Sequence, residues 1–243
     1  GPIPGRDGKV DGADEIRTYG HIVIDEVQDL TPMQLKMAAR RSLNGSLTVV
    51  GDIAQATGAL APDEWADVLA HLPDKKPARV VGLSVGYRIP AQIMALADKV
   101  MEAATPGLRS PRSVRVGDTA PRITRVEQLA PGVVAEVAHL RSELAAGSVA
   151  VVAPDALCDE LSAALTRAGF EHGRAATTGL DQALTVVPVS VVKGLELDAV
   201  VVVEPARIAS DTEHGMRALY VALTRSTQRL SIVHHADLPE PLR

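Results

Sequence analysis

Two adjacent carboxylates, Asp25 and Glu26, follow the apolar run 22–24 near the start of the chain. Ligands of open α/β sheets bind beyond the carboxyl ends of the strands, so these acids stand where a reacting group would be held. One carboxylate can bind Mg²⁺, which prefers oxygen ligands, while its neighbour orients or deprotonates a water molecule. Asp25 is the candidate metal ligand and Glu26 the candidate general base. The alternative is that the pair simply ends a strand and begins a solvated turn.

A second apolar run, residues 47–50, ends in Gly51 and Asp52, with Gln55 three residues further on. A glutamine in this place can sense a terminal phosphate or position an attacking water molecule, as glutamine does in other phosphate hydrolases. Taken alone, a glycine followed by an aspartate is also a common turn.

Two arginines are candidate phosphate ligands, because the planar guanidinium can bind a phosphate through two hydrogen bonds. Arg88 follows Gly86 and Tyr87, and the tyrosine ring could stack on a base. Arg225 lies at the end of an apolar helical pattern, from which it could project into a cleft. The alternatives are an ordinary surface arginine at position 88 and, at position 225, an arginine that complements the helix dipole.

Lys193, Gly194 and Glu196 precede the apolar run 198–203. The glycine permits close approach of the backbone to a ligand, and the glutamate can accept a hydrogen bond from a ribose hydroxyl. A lysine–glycine turn before a buried strand is the alternative.

Short Val/Ile-rich runs that alternate with helical patterns position these residues. The predicted strands are 21–25, 47–50, 79–84, 122–126, 148–153, 184–189, 198–203 and 228–233. The predicted helices are 32–41, 63–71, 90–104, 132–146, 156–168 and 213–225, with N-caps at Thr31 and Asp155. Several strands are apolar throughout, which is typical of parallel strands covered on both faces. The alternation predicts an α/β fold with a largely parallel sheet.

Composition narrows the possible functions. The 243 residues allow one or two domains, and no apolar run is long enough for a membrane span. The net charge is −5 and the chain has only five aromatic residues, which disfavours a domain that holds nucleic acid by itself. The single cysteine, Cys158, excludes a disulfide framework, fits a cytoplasmic compartment, and is expected in the core. One basic cluster could face a phosphate backbone or an acidic surface, or lie in a solvated loop: Arg109, Arg112, Arg115, Arg122 and Arg125.

In order and spacing, the five segments resemble motifs II to VI of superfamily 1 helicases of the UvrD/Rep type, over roughly residues 20–235. The resemblance implies RecA-like parallel sheets flanked by helices, arranged as two lobes that bind ATP in the cleft between them, with the first lobe incomplete. The expected division is a tail at 1–19, the remainder of the first lobe at 20–84 and the second lobe at 85–243.

The same resemblance implies a role for each candidate. Asp25 would hold Mg²⁺, Glu26 would activate the attacking water, and Gln55 would couple the γ-phosphate to movement of the lobes. Arg88 and Arg225 would contact the γ-phosphate. The remaining candidates for nucleotide binding are Tyr87 near the adenine, Glu196 near the ribose, and Asp52, Lys193 and Gly194.

The sequence departs from that pattern at several positions. The phosphate loop GxxxxGK[ST] is absent from the 243 residues: Gly8 and Lys9 are followed by Val10. The chain is therefore expected to be the C-terminal part of a longer protein and to lack ATPase activity alone. Gly58 and Leu60 stand where DNA-tracking relatives carry aromatic residues, and Ser190 stands where relatives usually have histidine.

These departures make the chain most similar to HelD-type proteins, a branch of this superfamily. That resemblance implies a motor that binds bacterial RNA polymerase and uses ATP to help release and recycle it, with only weak binding of nucleic acid by this chain. Two alternatives stay open: a fragment of a genuine ATP-dependent DNA helicase, and a non-catalytic module that only docks onto a partner.

Overall fold

The structure is a computed structural model that describes residues 18–73, 76–108, 110–144, 146–175 and 182–243. Most of the predicted tail, residues 1–17, lies outside this range. The chain divides into two compact units. The first comprises residues up to Ile53 together with Leu60–Arg79, and the second comprises Ala54–Ala59 together with Val80–Arg243.

The first unit contains a two-stranded parallel sheet, β1 (Ile22–Ile24) and β2 (Leu47–Val49), and two helices, α1 (Pro32–Arg40) and α2 (Trp65–Leu69). Helix α1 lies between the strands in sequence and begins as predicted. The Thr31 hydroxyl accepts from the Gln34 amide at 3.3 Å, and the Gln34 side chain accepts from the Thr31 amide at 2.8 Å. This reciprocal capping box, followed by Pro32 at the first helical position, satisfies amides that have no partner within the helix.

The second unit is built on a six-stranded sheet in which every pairing is parallel. A separate parallel pair precedes it, β3 (Val85–Gly86) and β4 (Arg112–Ser113). The sheet strands are β5 (Arg122–Arg125), β6 (Val149–Ala153), β7 (Gly173–Arg174), β8 (Leu184–Pro188), β9 (Leu197–Val203) and β10 (Ser226–His234). Their spatial order is β5-β10-β9-β6-β8-β7. Among the described residues, no helix is both long and apolar enough to span a membrane.

Helices cover both faces of this sheet. The α-helices in the described part of this unit are α3 (Ala91–Ala104), α4 (Leu129–Glu143), α5 (Cys158–Arg167), α6 (Pro205–Ser210) and α7 (Gly215–Leu223). Residues of α3, α6 and α7 form one core with Val200 and Val202 of β9. Residues of α4 and α5 form the other core with Val201 and Val203. Because side chains alternate between the faces of a strand, burial on both faces explains why β9 is apolar from Ala199 to Val203. The predicted α/β fold with a parallel sheet flanked by helices is confirmed.

The predicted strand at 79–84 is wrong. Val80, Val81 and Leu83 are 67%, 68% and 81% exposed, and strand pairing begins only at Val85. A strand requires a neighbouring ladder, and within the described part of the chain this run has none. At the end of the run, the Ser84 carbonyl accepts from the Arg112 amide at 2.8 Å.

Three helix predictions also need correction. Helix α4 begins at Leu129 instead of 132, because Pro131 lies in the first turn, where its missing amide hydrogen is not needed. Helix α5 is not capped by Asp155, whose carboxylate accepts from the Ser190 hydroxyl at 2.6 Å. Helix α6, directly after β9, was not expected: its six residues are too short for a periodic pattern to show.

Candidate functional site

In the first unit, the two acidic candidates lie directly beyond the carboxyl end of β1. The side chains of Asp25 and Glu26 are exposed. Glu26 has φ 49° and ψ 42°, in the left-handed region, and its amide donates to Asp25 Oδ1 at 2.8 Å. A non-glycine residue in this region is uncommon, and such residues cluster at functional sites. The turn leaves two neighbouring, exposed acidic residues directly beyond the strand.

Gln28 connects these acids to the end of β2. It is 3% exposed, its side-chain nitrogen donates to Glu26 Oε2 at 2.5 Å, and its side-chain oxygen accepts from the Asp52 amide at 3.0 Å. The structure thus brings Glu26 and the backbone of Asp52 together through one buried amide group. The sequence placed Gln28 beside the acidic pair without a role, since spacing alone does not show what a glutamine contacts.

Gly51 makes this connection possible. A Cβ atom at position 51 would lie 2.4 Å from the Gln28 side-chain oxygen and 2.8 Å from Val27 Cγ1. Real Cβ atoms do not approach other atoms so closely, so a larger residue here would displace Gln28. The alternative left open by the sequence was an ordinary glycine turn, and the structure shows that close packing requires the glycine.

The candidate Gln55 belongs to the second unit, in the segment Ala54–Ala59. Ala54 and Ala56 are buried, and Ala54 packs in the core that contains α7. Two basic side chains donate to consecutive backbone carbonyls of this segment. Lys193 Nζ donates to the carbonyl of Gln55, and Arg217 Nη1 donates to that of Ala56 at 3.3 Å.

Arg217 is a residue that the sequence predictions missed. It lies in α7 and is only 5% exposed, although arginine is rarely so deeply buried. The available signal was that it is the one charged residue in the apolar segment 215–223.

Two further candidates meet within the second unit. Arg88 forms an ion pair with Glu196, and both side chains are at least half exposed. Arg115 donates to the carbonyl of Arg88 at 2.7 Å, which fixes the backbone beside that pair. Tyr87 is 79% exposed, so its ring is available for stacking. Gly194 has φ 78° in the turn before β9, a conformation that glycine adopts without strain.

Arg225 follows α7, and its guanidinium folds back onto that helix. Nε donates to the carbonyl of Val221 at 3.0 Å and Nη2 donates to the Thr224 hydroxyl at 3.2 Å. In this arrangement the arginine caps the helix end, which is the structural role expected from the helix dipole.

The acidic pair suits a particular kind of metal. Mg²⁺ is usually bound by one or two carboxylates together with water and the phosphates of a substrate. Asp25 provides one exposed carboxylate of this kind. Over the described residues no group of three or more His, Cys, Asp or Glu side chains could hold a metal by itself. One exposed carboxylate fits a Mg²⁺ ion whose other ligands are water and the phosphates of a substrate.

The other sequence candidates are accounted for structurally. Cys158 is 1% exposed, and burial, with a smaller effect of the Asp155 charge, raises the pKa of its thiol to about 11. It is the core residue expected. In the basic cluster, Arg122 pairs with Glu136 and Arg125 with Asp237, each at 3.3 Å, whereas Arg109 lies outside the described residues.

Comparisons with known proteins agree with this architecture. Residues 183–233 match a family model described as the UvrD-like helicase C-terminal domain. Over 91 residues, the chain is 40% identical to ATP-dependent DNA helicase UvrD2 of Mycobacterium tuberculosis, and equally to that of Mycobacterium bovis. The crystal structure of the C-terminal domain of a possible DNA helicase from Lactobacillus plantarum WCFS1 has a TM-score of 0.51 at 25% identity, covering 65% of this chain and 92% of that chain.

The sequence matches cover 35% of this chain and 12% of the length of the UvrD2 proteins. The family match includes the strands β8, β9 and β10 and the whole of α7, and so the segments that contain Lys193, Glu196 and Arg225. For residues 183–233, the expected resemblance to UvrD-like helicases is confirmed, as similarity to the C-terminal domain of such helicases.

Proposed function

We propose that the chain is part of an ATP-hydrolysing, helicase-like motor. The first unit is the remainder of a first RecA-like lobe, and the second unit is the second lobe. The observation that carries this proposal is the turn beyond β1, where Glu26, held by Gln28, stands next to Asp25. The similarity of residues 183–233 to UvrD-like helicases supports it independently.

The chemistry would be transfer of a phosphoryl group to water. Mg²⁺ bound by Asp25 would neutralise charge on the phosphates. Glu26 would accept a proton from a water molecule, whose oxygen forms a bond to the γ-phosphorus while the bond to the bridging oxygen of ADP breaks. Gln55 would sense the γ-phosphate, and Asp52, Lys193 and Gly194 would lie around the nucleotide.

In the structure, Arg88 and Glu196 form an ion pair with each other. We propose that nucleotide separates the pair, so that Arg88 contacts a phosphate and Glu196 accepts from a ribose hydroxyl. Arg225 would leave the carbonyl of Val221 to reach the same phosphate, and Tyr87 would stack on the base. Because an exposed ion pair contributes only about 0–1 kcal/mol, separating Arg88 from Glu196 costs little.

The direct test is steady-state ATPase activity of the full-length natural protein. Glu26→Gln should lower kcat by about 10²–10⁴-fold, the usual contribution of a general base. The matched control is Glu102→Gln, which changes an exposed glutamate on α3 and should leave the rate unchanged. An unchanged rate in the Glu26 variant would show that this turn is not a hydrolysis site.

We further propose that the motor is of the HelD type and acts on bacterial RNA polymerase. Gly58 is exposed and Leu60 is 69% exposed, at positions where an aromatic residue could stack on single-stranded DNA. Loss of one stacking residue costs about 1–3 kcal/mol per base. With a net charge of −5 and five aromatic residues, the chain suits a protein partner better than a bare nucleic acid. The ATP cycle would serve release from the polymerase.

A DNA helicase is the second candidate, favoured by the 40% identity to UvrD2, which is named as a DNA helicase. The two are separated by measuring the ATPase rate and binding with single-stranded DNA and with core RNA polymerase. Strong, salt-sensitive stimulation by DNA would support the helicase. Tight binding of polymerase with little response to DNA would support the HelD-type motor. A purely docking module requires Glu26→Gln to have no effect on cellular function.

A further inference from the structure

We infer that Gln28 is a positioning residue for the general base, and that it ties Glu26 to the backbone at the end of β2. The inference rests on the proposed function, since it takes Glu26 to be the group that activates water. Three observations on the first unit carry it: the two hydrogen bonds of the Gln28 amide, its burial, and the space that Gly51 leaves for it.

The two hydrogen bonds fix which way the Gln28 amide points. A carboxylate can only accept hydrogen bonds, and a backbone amide can only donate. The NH₂ group must therefore face Glu26 Oε2, at 2.5 Å, and the carbonyl oxygen must face the Asp52 amide, at 3.0 Å. Turning the amide over would place like groups together at both ends, so the pair of contacts selects one orientation.

The link between Gln28 and Glu26 has one buried member and one exposed member. Gln28 is 3% exposed and Val27 beside it is fully buried, whereas the Glu26 side chain is exposed. An exposed glutamate samples many rotamers, and holding it in one of them costs conformational entropy. The buried donor of Gln28 restricts the Glu26 side chain to one arrangement while that side chain stays exposed.

The second hydrogen bond links the base to the backbone that leads towards Gln55. Asp52 directly follows Gly51, and Gln55 is three residues further along the chain. Because one amide group contacts both Glu26 and Asp52, a shift of the backbone at Asp52 moves the Glu26 carboxylate as well. Gln28 thus transmits a change at the end of β2 to the base.

The decisive variant is Gln28→Glu in the full-length natural protein. It preserves the shape and the acceptor for the Asp52 amide, but replaces the donor to Glu26 with a carboxylate oxygen. We expect kcat to fall by about 10²-fold, the effect of a misplaced catalytic group, with KM changed by less than about threefold. Gln128→Glu, on an exposed side chain, is the matched control and should keep the wild-type rate.

The division of the effect between kcat and KM separates positioning from simple loss of structure. A variant in which only the base is misplaced should bind nucleotide as wild type does and lose kcat alone. A variant that is merely less well folded should instead show a smaller folded fraction in circular dichroism.

Two further measurements cover the case in which a variant is too unstable to assay. Gly51→Ala should lower kcat without altering either acidic group, because its Cβ displaces Gln28. In the 243-residue chain, hydrogen exchange of the Asp52 amide should be slow in wild type and in Gln28→Glu, which keeps the acceptor, and fast in Gln28→Ala.

The outcomes also distinguish this inference from the proposed function. If Glu26→Gln leaves the ATPase rate unchanged, the proposed function fails. If Glu26→Gln abolishes the rate but Gln28→Glu keeps a wild-type kcat, the proposed function stands and the positioning role is wrong. Equal exchange of the Asp52 amide in wild type and Gln28→Ala would also overturn it.

Discussion

Replacement of Asp198 by asparagine tests how the sheet of the second unit is held at the amino ends of its strands. Asp198 is the second residue of β9, and its carboxylate accepts three hydrogen bonds. These come from the Ser148 amide at 2.8 Å, the Ser148 hydroxyl at 3.1 Å and the Gln228 side chain at 2.7 Å. Ser148 directly precedes β6 and Gln228 lies in β10, so one carboxylate joins three adjacent strands.

The expected loss of stability follows from the negative charge of the Asp198 carboxylate. The amide of Ser148, acting against partial burial and with help from the two side-chain donors, lowers the pKa of Asp198. Hydrogen bonds to a charged group contribute about 1.5–3 kcal/mol, and the NH₂ group of an asparagine would face donors. We expect Asp198→Asn to lower the free energy of unfolding by about 2 kcal/mol at pH 7. That corresponds to a decrease in Tm of about 4–8 °C for a unit of this size.

The direction of the pKa shift determines how the stability difference between wild type and Asp198→Asn changes with pH. Because the pKa of Asp198 is lower in the folded state, its stabilising contribution is fully present above the unfolded pKa of about 3.9. The contribution is lost as the pH falls through the folded pKa. Asparagine does not titrate, so the difference between wild type and variant should narrow on acidification below about pH 4.

Urea unfolding followed by circular dichroism, from pH 7 down to pH 3, measures this difference. Asp237→Asn is the matched control: Asp237 is 74% exposed and pairs with Arg125 at 3.3 Å. Loss of this exposed ion pair should lower the free energy of unfolding by no more than about 1 kcal/mol. A difference for Asp198→Asn below about 0.5 kcal/mol at pH 7, or one that does not narrow in acid, would refute the reasoning.

Three other measurements address the core, the thiol and the segment Ala54–Ala59. Leu223→Ala removes a fully buried side chain of α7 and should lower the free energy of unfolding in urea by about 2–5 kcal/mol. A decrease of less than about 1 kcal/mol would mean that this core is loosely packed. Cys158 should react with a thiol reagent only after unfolding, since it is buried and its pKa is raised to about 11; fast reaction of the native chain would contradict this placement. Arg217→Met should speed hydrogen exchange in Ala54–Ala59 more than Arg217→Lys does, because methionine cannot donate to the carbonyl of Ala56; equal exchange in both variants and wild type would rule this out.

The sequence predicted best those elements whose physical causes are local. The strands β6 and β9 consist almost entirely of Ala and Val, as burial on both faces requires, and both lie where predicted to within a residue. The start of α1 was predictable because Thr31, Pro32 and Gln34 satisfy its first amides without help from the rest of the chain.

The predictions failed where a distant partner decides the structure. The apolar run 79–84 has the composition of a strand, but composition does not reveal whether a ladder is available beside it. Gln28 and Arg217 were missed for the same reason. Each is a buried polar residue whose partner is far along the chain. Gln28 contacts Asp52, 24 residues away, and Arg217 contacts Ala56, 161 residues away.

The second unit is not encoded by one continuous stretch of the gene. Its main part begins at Val80, but the six residues Ala54–Ala59 belong to it as well. Expressing residues 80–243 alone would therefore remove two buried alanines and the carbonyl acceptors for Lys193 and Arg217. A chimaera that exchanges the second unit between related proteins would need to carry these six residues along with it. A domain boundary drawn from the sequence, at residue 84, would leave them with the first unit.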